Sequence, residues 1–142
     1  MFSRRVIGWA LATHLRAELV CDALRMAVAT RGGSVAGDLP FGSRLPGQYT
    51  SAEFRALCDA HGAQQSMGKT GVCWDNALAE SFFATYKLEL IEPESWPTRA
   101  RARTATVHWL EAVYNRQRRH SAIDMLSPVD YEERYWDRRA AA

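Results

Sequence analysis

This sequence has few cysteines, no long hydrophobic run and little net charge. Its three cysteines, Cys21, Cys58 and Cys73, lie far apart, and no CxxC or Cys/His spacing accompanies them. The common zinc-binding patterns are therefore excluded, and an odd, scattered set is typical of reduced, buried thiols. No stretch approaches the roughly 18 apolar residues of a membrane span, and the apolar run near the N-terminus is too short for a signal peptide. We expect a cytoplasmic protein without a membrane partner.

The net charge is only +2 over 142 residues, so no global field indicates a polyanionic partner. The arginines are nevertheless clustered: three lie between 99 and 103, and three more lie between 116 and 119, next to His120. Such a local basic stripe is compatible with contact to DNA or RNA, and a solvated helix face is the alternative. The length and the 47% hydrophobic content fit one globular domain or a piece of one.

Apolar periodicity predicts a helix-rich α/β protein. The run RVIGWALA at 5–12 is rich in β-branched and aromatic residues and is expected to be a strand. Residues 32–47 hold five glycines and two prolines and are expected to form a loop without a strand. The other expected elements are helices at 14–30, 50–61, 75–91 and 98–117, a short strand at 63–67, and a short last helix that opens at Ser127-Pro128 and has a frayed tail.

The helix predicted at 75–91 carries a single acid in its first turns. Asp75 suits the N-cap position, and Glu80 follows among the small residues Ala77, Ala79 and Ser81, which leave room for a ligand. One carboxylate does not make a magnesium site, because that ion requires several oxygen ligands. An early acid stabilised by the helix dipole is the alternative.

Two longer motifs give this acid a context: DNALAESFFATYK at 75–87 and YNRQRRHSAIDMLSP at 114–128. With both, the chain resembles the C-terminal half of a bacterial insertion-sequence transposase of the OrfB type. That family is retroviral-integrase-like and has an Asp-Asp-Glu catalytic triad. The segment 1–12 also resembles the family's third core strand, and 48–62 resembles the helix after its second aspartate.

The resemblance implies a partial RNase H-like core at 1–126, an integrase catalytic core without its first strands, followed by a short helix and tail at 127–142. Two magnesium ions would lie between three carboxylates, with Glu80 as the third, both catalytic residue and metal ligand. Asp75 and Asn76 would have structural roles at the helix start. Basic side chains would meet DNA phosphates as sequence-independent contacts: Lys87, Arg116, Arg118, Arg119 and His120.

The implied partners are DNA, as transposon ends and target, and an intact transposase. The protein would then be associated with the nucleoid when DNA-bound. For Asn115 and His120, packing and capping between helices is the alternative to a role in binding.

The sequence departs from the family pattern at the other two carboxylates. The first aspartate has no counterpart here, and the place of the second holds Arg44, a fixed cation that would repel magnesium. When plausible codons for a family-like strand that contains HSDRG are translated in a shifted frame, starting from their third base, the product is DLPFGSRLP, the string found at 38–46. We therefore hypothesise that a frameshift crosses this segment of the gene. We therefore expect a truncated, catalytically inactive fragment. A non-catalytic DNA-binding or transposase-binding fragment, and an active magnesium nuclease of unexpected architecture, are the alternatives.

Overall fold

The computed structural model describes residues 2–13, 16–33, 35, 37–39, 51–65 and 73–141. The chain divides into two compact units: residues 7–87 form one, and residues 1–6 together with 88–142 form the other. Within the described residues, no helix combines the length and the apolar character needed to cross a membrane.

The first unit combines two helices with a short pair of parallel strands. Helix α1 (Ala17–Thr30) packs against α2 (Ala52–His61), and strand β1 (Gly37–Leu39) pairs with β2 (Ala63–Gln65), with Asp38 opposite Gln64. Because α2 lies between two parallel strands in the chain, the arrangement is a small βαβ crossover.

Local chemistry sets the ends of these helices. The Ser51 hydroxyl caps α2 by accepting from the N–H of Phe54 at 3.2 Å, and Gly62 ends it in the left-handed region, with φ at 66°. At the end of α1, Gly33 donates its N–H to the carbonyl of Val28 at 2.9 Å and also has a positive φ. The predicted helices at 14–30 and 50–61 and the strand at 63–67 are thus confirmed over Ala17–Thr30, Ala52–His61 and Ala63–Gln65, while residues 14–15, 50 and 66–67 lie outside the described part of the chain.

The core of this unit is formed by the apolar stripe of α1 facing that of α2. Its most buried side chains are Leu24 and Phe54, each worth about 1.5–3 kcal/mol when fully buried. Cys21 and Cys58 lie buried in the same cluster and form no disulfide with each other, and burial raises the pKa of the Cys21 thiol. The side chain of Cys73 lies outside the described part of the chain.

Two predictions about strands were wrong. Residues 5–12 form no strand, because their backbone groups meet side chains and a helix instead of a neighbouring strand. Gly8 lies so close to α1 that a Cβ there would clash with the backbone carbonyl oxygen of Ala23. Conversely, β1 occurs inside the glycine- and proline-rich stretch that was expected to be loop, because pairing with β2 stabilises a segment of low intrinsic strand propensity.

A long helix leads from the first unit into the second. Helix α3 (Cys73–Tyr86) continues directly as a π-helical segment (Lys87–Ile91), in agreement with the helix predicted at 75–91. The described helix begins at Cys73, so Asp75 lies inside its first turn. The predicted N-cap position was wrong, although the helix dipole still favours a carboxylate there.

In the second unit, α4 (Arg99–His108) continues as another π-helical segment (Trp109–Tyr114), as the prediction for 98–117 required. Thr98 caps α4 by accepting from the N–H of Arg101 at 3.2 Å. The last helix, α5 (Pro128–Ala140), opens as predicted, with Ser127 as the N-cap and Pro128 in the first turn. Its tail is helical to Ala140, so the expected fraying was wrong.

Candidate nucleic-acid interface

Glu80 lies on α3 with its side chain exposed to solvent and without an ion pair or hydrogen bond in the described part of the chain. The described residues contain no group of three or more His, Cys, Asp or Glu side chains that could hold a metal ion. Because magnesium requires several oxygen ligands, these residues do not fit the metal centre of an Asp-Asp-Glu enzyme. Arg44 and the side chains of Asp38, Asp75 and Asn76 lie outside the described residues.

Lys87 begins the π-helical segment that follows α3, and its side chain is exposed. It stands seven residues after Glu80, which is about two helical turns, so the two residues lie on a similar side of one continuous helix. A short π-helical stretch within a longer helix is a rare feature that is frequent at functional sites.

The second group of predicted DNA contacts forms a tight turn after the π-helical segment Trp109–Tyr114. This basic turn (residues 116–119) folds back on its helix, since the N–H groups of Gln117 and Arg118 both donate to the carbonyl of Val113, at 3.0 and 2.7 Å. Arg116 and Arg119 are exposed, and neither forms an ion pair within the described residues. Two guanidinium groups are thereby presented to solvent on a short, hydrogen-bonded loop.

Arg118 is held by an acid that sequence reasoning did not single out. Its Nη1 pairs with Oε1 of Glu89, and the indole Nε1 of Trp109 donates to the other oxygen of that carboxylate at 3.2 Å. The side chains of Arg118 and Glu89 are each about one-third exposed. Such a pair is worth up to about 1 kcal/mol, so a phosphate could compete for the guanidinium at modest cost.

His120 was expected to meet phosphate, and the structure places it elsewhere. The residue is only 7% exposed, and its ring meets that of Tyr114 in a T-shaped arrangement with ring centroids 5.1 Å apart. Its backbone N–H donates to the carbonyl of Leu126. Burial, with Arg4 and then Arg118 nearby, lowers the pKa of His120 to about 4. The imidazole is therefore neutral at pH 7 and has no cationic charge for a phosphate, so the packing alternative accounts for it.

Asn115 also has a packing role. Its amide donates to the carbonyl oxygen of Val6 and accepts from the N–H of Val6, both at 2.9 Å, as a neighbouring β-strand would. Its own carbonyl accepts from the N–H of Val129 at 3.0 Å. A single buried residue therefore joins the N-terminal segment through its side chain and the start of α5 through its backbone carbonyl.

A second internal contact uses Glu132 of α5, which the sequence analysis did not single out. This residue is 3% exposed, and its carboxylate accepts from the hydroxyl of Ser3 and from Nη1 of Arg5 at 2.9 Å. The signal was its spacing: Glu132 follows the buried Val129 by three residues, so both lie on one side of α5. Glu89 offered no such signal, because its partner Arg118 lies far along the chain.

Family comparisons agree with these motifs. Two family models, both described as integrase core domain, match residues 1–73 and residues 61–128. No solved structure shows significant similarity to the chain.

Insertion-sequence transposases are among its relatives. Transposase InsF for insertion sequence IS3A of Escherichia coli (strain K12) is 38% identical over 134 residues, which are 94% of this chain and 46% of that protein. The transposase for insertion sequence element IS904 of Lactococcus lactis subsp. lactis (strain IL1403) is 35% identical over 133 residues, 94% of this chain and 52% of that protein. The chain thus spans about half the length of the curated relatives it matches.

One of the two family models matches just over half of the chain by itself. The family implies an RNase H-like fold, and the described residues are rich in helix. The chain belongs to the integrase core domain family, in common with the transposases of bacterial insertion sequences.

Proposed function

We propose that this chain acts in DNA transposition and integration as a DNA-binding part of an integrase core and does not itself break or join DNA strands. The main support for binding is that the basic turn presents Arg116 and Arg119 to solvent. The main support for the absence of catalysis is that Glu80 has no carboxylate partner among the described residues. The proposal keeps 1–126 as a partial core and 127–142 as its C-terminal helix and tail.

The binding half of the proposal rests on electrostatics. Arg116, Arg118 and Arg119 would neutralise phosphates of the DNA backbone, and Lys87 would add a further contact from the long helix. Contacts of this kind are independent of base sequence, and their strength falls steeply with salt because each neutralised phosphate releases counterions.

The test of binding compares two equal charge changes. One variant replaces Arg116, Arg118 and Arg119 by alanine; its matched control replaces Arg99, Arg101 and Arg103, which are exposed on α4. Fluorescence anisotropy with a labelled DNA duplex is followed over a range of salt concentrations. We expect the first variant to lower the slope of log K against log salt by about 2–3, since each phosphate contact contributes about 0.9. Equal losses in both variants would show that only total charge matters, and would overturn the assignment to the basic turn.

The absence of catalysis is tested separately. The purified chain is incubated with supercoiled DNA and Mg²⁺, beside the Glu80→Gln variant. We expect neither protein to nick or join DNA, and we expect Glu80→Gln to bind the duplex no more weakly than the parent chain. Nicking by the parent chain that Glu80→Gln abolishes would refute this part and would support the active magnesium nuclease.

A further inference from the structure

Glu89 is an acid that lies directly against the basic turn. It belongs to the π-helical segment that follows α3, whereas its partner Arg118 comes after the second π-helical segment, and both residues belong to the same compact unit. The other two arginines of the turn, Arg116 and Arg119, are exposed and form no ion pair in the part of the chain that the structure describes. One of the three guanidinium groups is therefore already occupied by a carboxylate of the chain itself.

The carboxylate of Glu89 is held from two sides. Its Oε1 pairs with Nη1 of Arg118, and its Oε2 accepts from the indole Nε1 of Trp109 at 3.2 Å. Trp109 is only 4% exposed, so the donor that orients the carboxylate is itself fixed by packing. When the guanidinium of Arg118 moves away, Glu89 therefore keeps a hydrogen-bond partner and stays in position to bind the guanidinium again.

Only the side chain of Arg118 has to move in such an exchange. Its backbone is fixed, because its N–H donates to the carbonyl of Val113 at 2.7 Å. The side chains of Arg118 and Glu89 are 31% and 33% exposed, so a phosphate oxygen has access to the guanidinium. Carboxylate and phosphate oxygens are both acceptors that the arginine fork binds well, so one anion can replace the other without leaving the guanidinium unpaired.

We propose that Glu89 is an intramolecular competitor of DNA at the basic turn: it occupies Arg118 in the free chain, and a DNA phosphate displaces it on binding. This inference rests on the proposed function and adds a regulating residue to the same site. Arg116 and Arg119 make the first contacts, and Arg118 joins them after it has left Glu89. The contact lowers the affinity of the turn for DNA, and a polyanion that binds too weakly to displace Glu89 meets two arginines instead of three.

The test measures the affinity of the full chain and its variants for a labelled DNA duplex by fluorescence anisotropy at low salt. We expect Glu89→Gln to raise the affinity about 1.5- to 5-fold, the range that a partly exposed ion pair supports. Glu94→Gln is the matched control, because it removes an exposed acid from the following segment and changes the net charge equally. Its effect on the affinity should be clearly smaller.

A cycle with Arg118→Ala separates competition for the guanidinium from a change in net charge. In the Arg118→Ala background, Glu89→Gln should no longer raise the affinity, because the group for which the carboxylate competes is gone. An equal rise in both backgrounds, or an equal rise with Glu94→Gln, would overturn the proposal. An affinity that Glu89→Gln leaves unchanged in the parent chain would also overturn it.

The indole N–H signal of Trp109 in a ¹H–¹⁵N NMR spectrum gives an independent measurement, since this group donates to the same carboxylate. The signal is identified by its shift in Glu89→Gln. We expect it to shift when duplex is added to the parent chain and to shift much less when duplex is added to Arg118→Ala. A signal that duplex leaves unchanged in the parent chain would contradict the displacement of Arg118 from Glu89.

The competitor role and the proposed function fail in different ways. If replacing the three arginines of the basic turn by alanine weakens binding no more than replacing those of α4, the proposed function fails and the competitor role fails with it. If that comparison favours the basic turn but Glu89→Gln has no effect on affinity, the proposed function stands and only the competitor role is lost.

Discussion

The two sequence motifs of this chain differ in how far their polar residues are exposed to solvent in the folded structure. The motif at 75–87 places Glu80 and Lys87 on the outside of a long helix. The motif at 114–128 buries Tyr114, Asn115 and His120. A recognisable motif is therefore no guide to which of its residues face a ligand. In the second motif, the residues between the buried positions carry the exposed charge, and the buried ones hold the turn that presents it.

Among the substitutions that test this difference, we expect Asn115→Ala to have the largest effect on stability. It removes both hydrogen bonds to Val6 and leaves a backbone N–H and C=O without partners, so we expect the free energy of unfolding to fall by about 2–4 kcal/mol. Urea denaturation followed by circular dichroism measures the change. Gln117→Ala, at an exposed position nearby, is the control and should change stability by less than about 0.5 kcal/mol. Equal effects would mean that the Asn115 amide does not hold the N-terminal segment.

We expect a fall in pH to destabilise the folded chain through His120, which belongs to the same motif. Its pKa is lowered from 6.5 to about 4 in the folded chain, so the unfolded state binds the proton more tightly. The stability that this neutral imidazole contributes is present above pH 6.5 and is lost as the pH falls towards 4. We expect a loss of about 2 kcal/mol between pH 7 and pH 5 from this group.

The measurement compares unfolding at pH 7 and pH 5 for the parent chain and for His120→Gln. The variant should lose less stability on acidification, by roughly the same 2 kcal/mol. Gln117→Ala, at an exposed position without an ionisable side chain, is the control and should retain the parent's pH dependence. A parent chain and a His120→Gln variant with identical pH profiles would contradict the buried, neutral assignment.

A smaller effect is expected at the pair formed by Glu89 and Arg118. A double-mutant cycle with Glu89→Gln and Arg118→Ala should give a coupling energy of about 0.2–1 kcal/mol, because the pair is partly exposed. Glu94→Gln removes an exposed acid from the following segment and should show no coupling to Arg118. A coupling energy above about 2 kcal/mol would show that the pair is more desolvated than its exposure indicates.

The smallest effect belongs to the first motif. Glu80→Gln should change the free energy of unfolding by no more than about 0.5 kcal/mol, because the side chain is exposed and makes no ion pair in the described part of the chain. Thermal unfolding at neutral pH measures this. A loss of 2 kcal/mol would reveal a partner for the carboxylate and would remove the contrast between the motifs.

Apolar spacing predicted the helices well because each one buries a stripe of residues three and four apart. Leu24 and Phe54 are examples that lie in one core, as their positions in the pattern require. The strands were harder to predict. Strand β1 exists only through its pairing with β2, and residues 5–12 have strand-like composition but contact a helix and the Asn115 amide. Such partners are decided by tertiary structure, which local patterns do not contain.

The candidate site was predictable to a similar extent. The clustering of arginines drew attention to residues 116–119; the structure presents Arg116 and Arg119 to solvent, and their contact with DNA stays a prediction. The burial of His120 could not be read from a charge count, since histidine next to arginines looks like part of a basic stripe. The role of Glu89 likewise depends on a contact with Arg118 that only the folded chain creates.

The bonds from residues 3–6 to Asn115 and Glu132 join positions 109 to 129 residues apart. During synthesis, these first residues leave the ribosome long before their partners are made. At typical elongation rates of about 5–20 residues per second, they wait on the order of ten seconds in water. The helices of residues 17–61 can form and pack within that interval, whereas the unit that contains both distant segments closes only after translation has passed α5. A premature stop before α5 would therefore leave the polar groups of Val6 and Arg5 to be hydrated, and would make the product a substrate for cellular proteases.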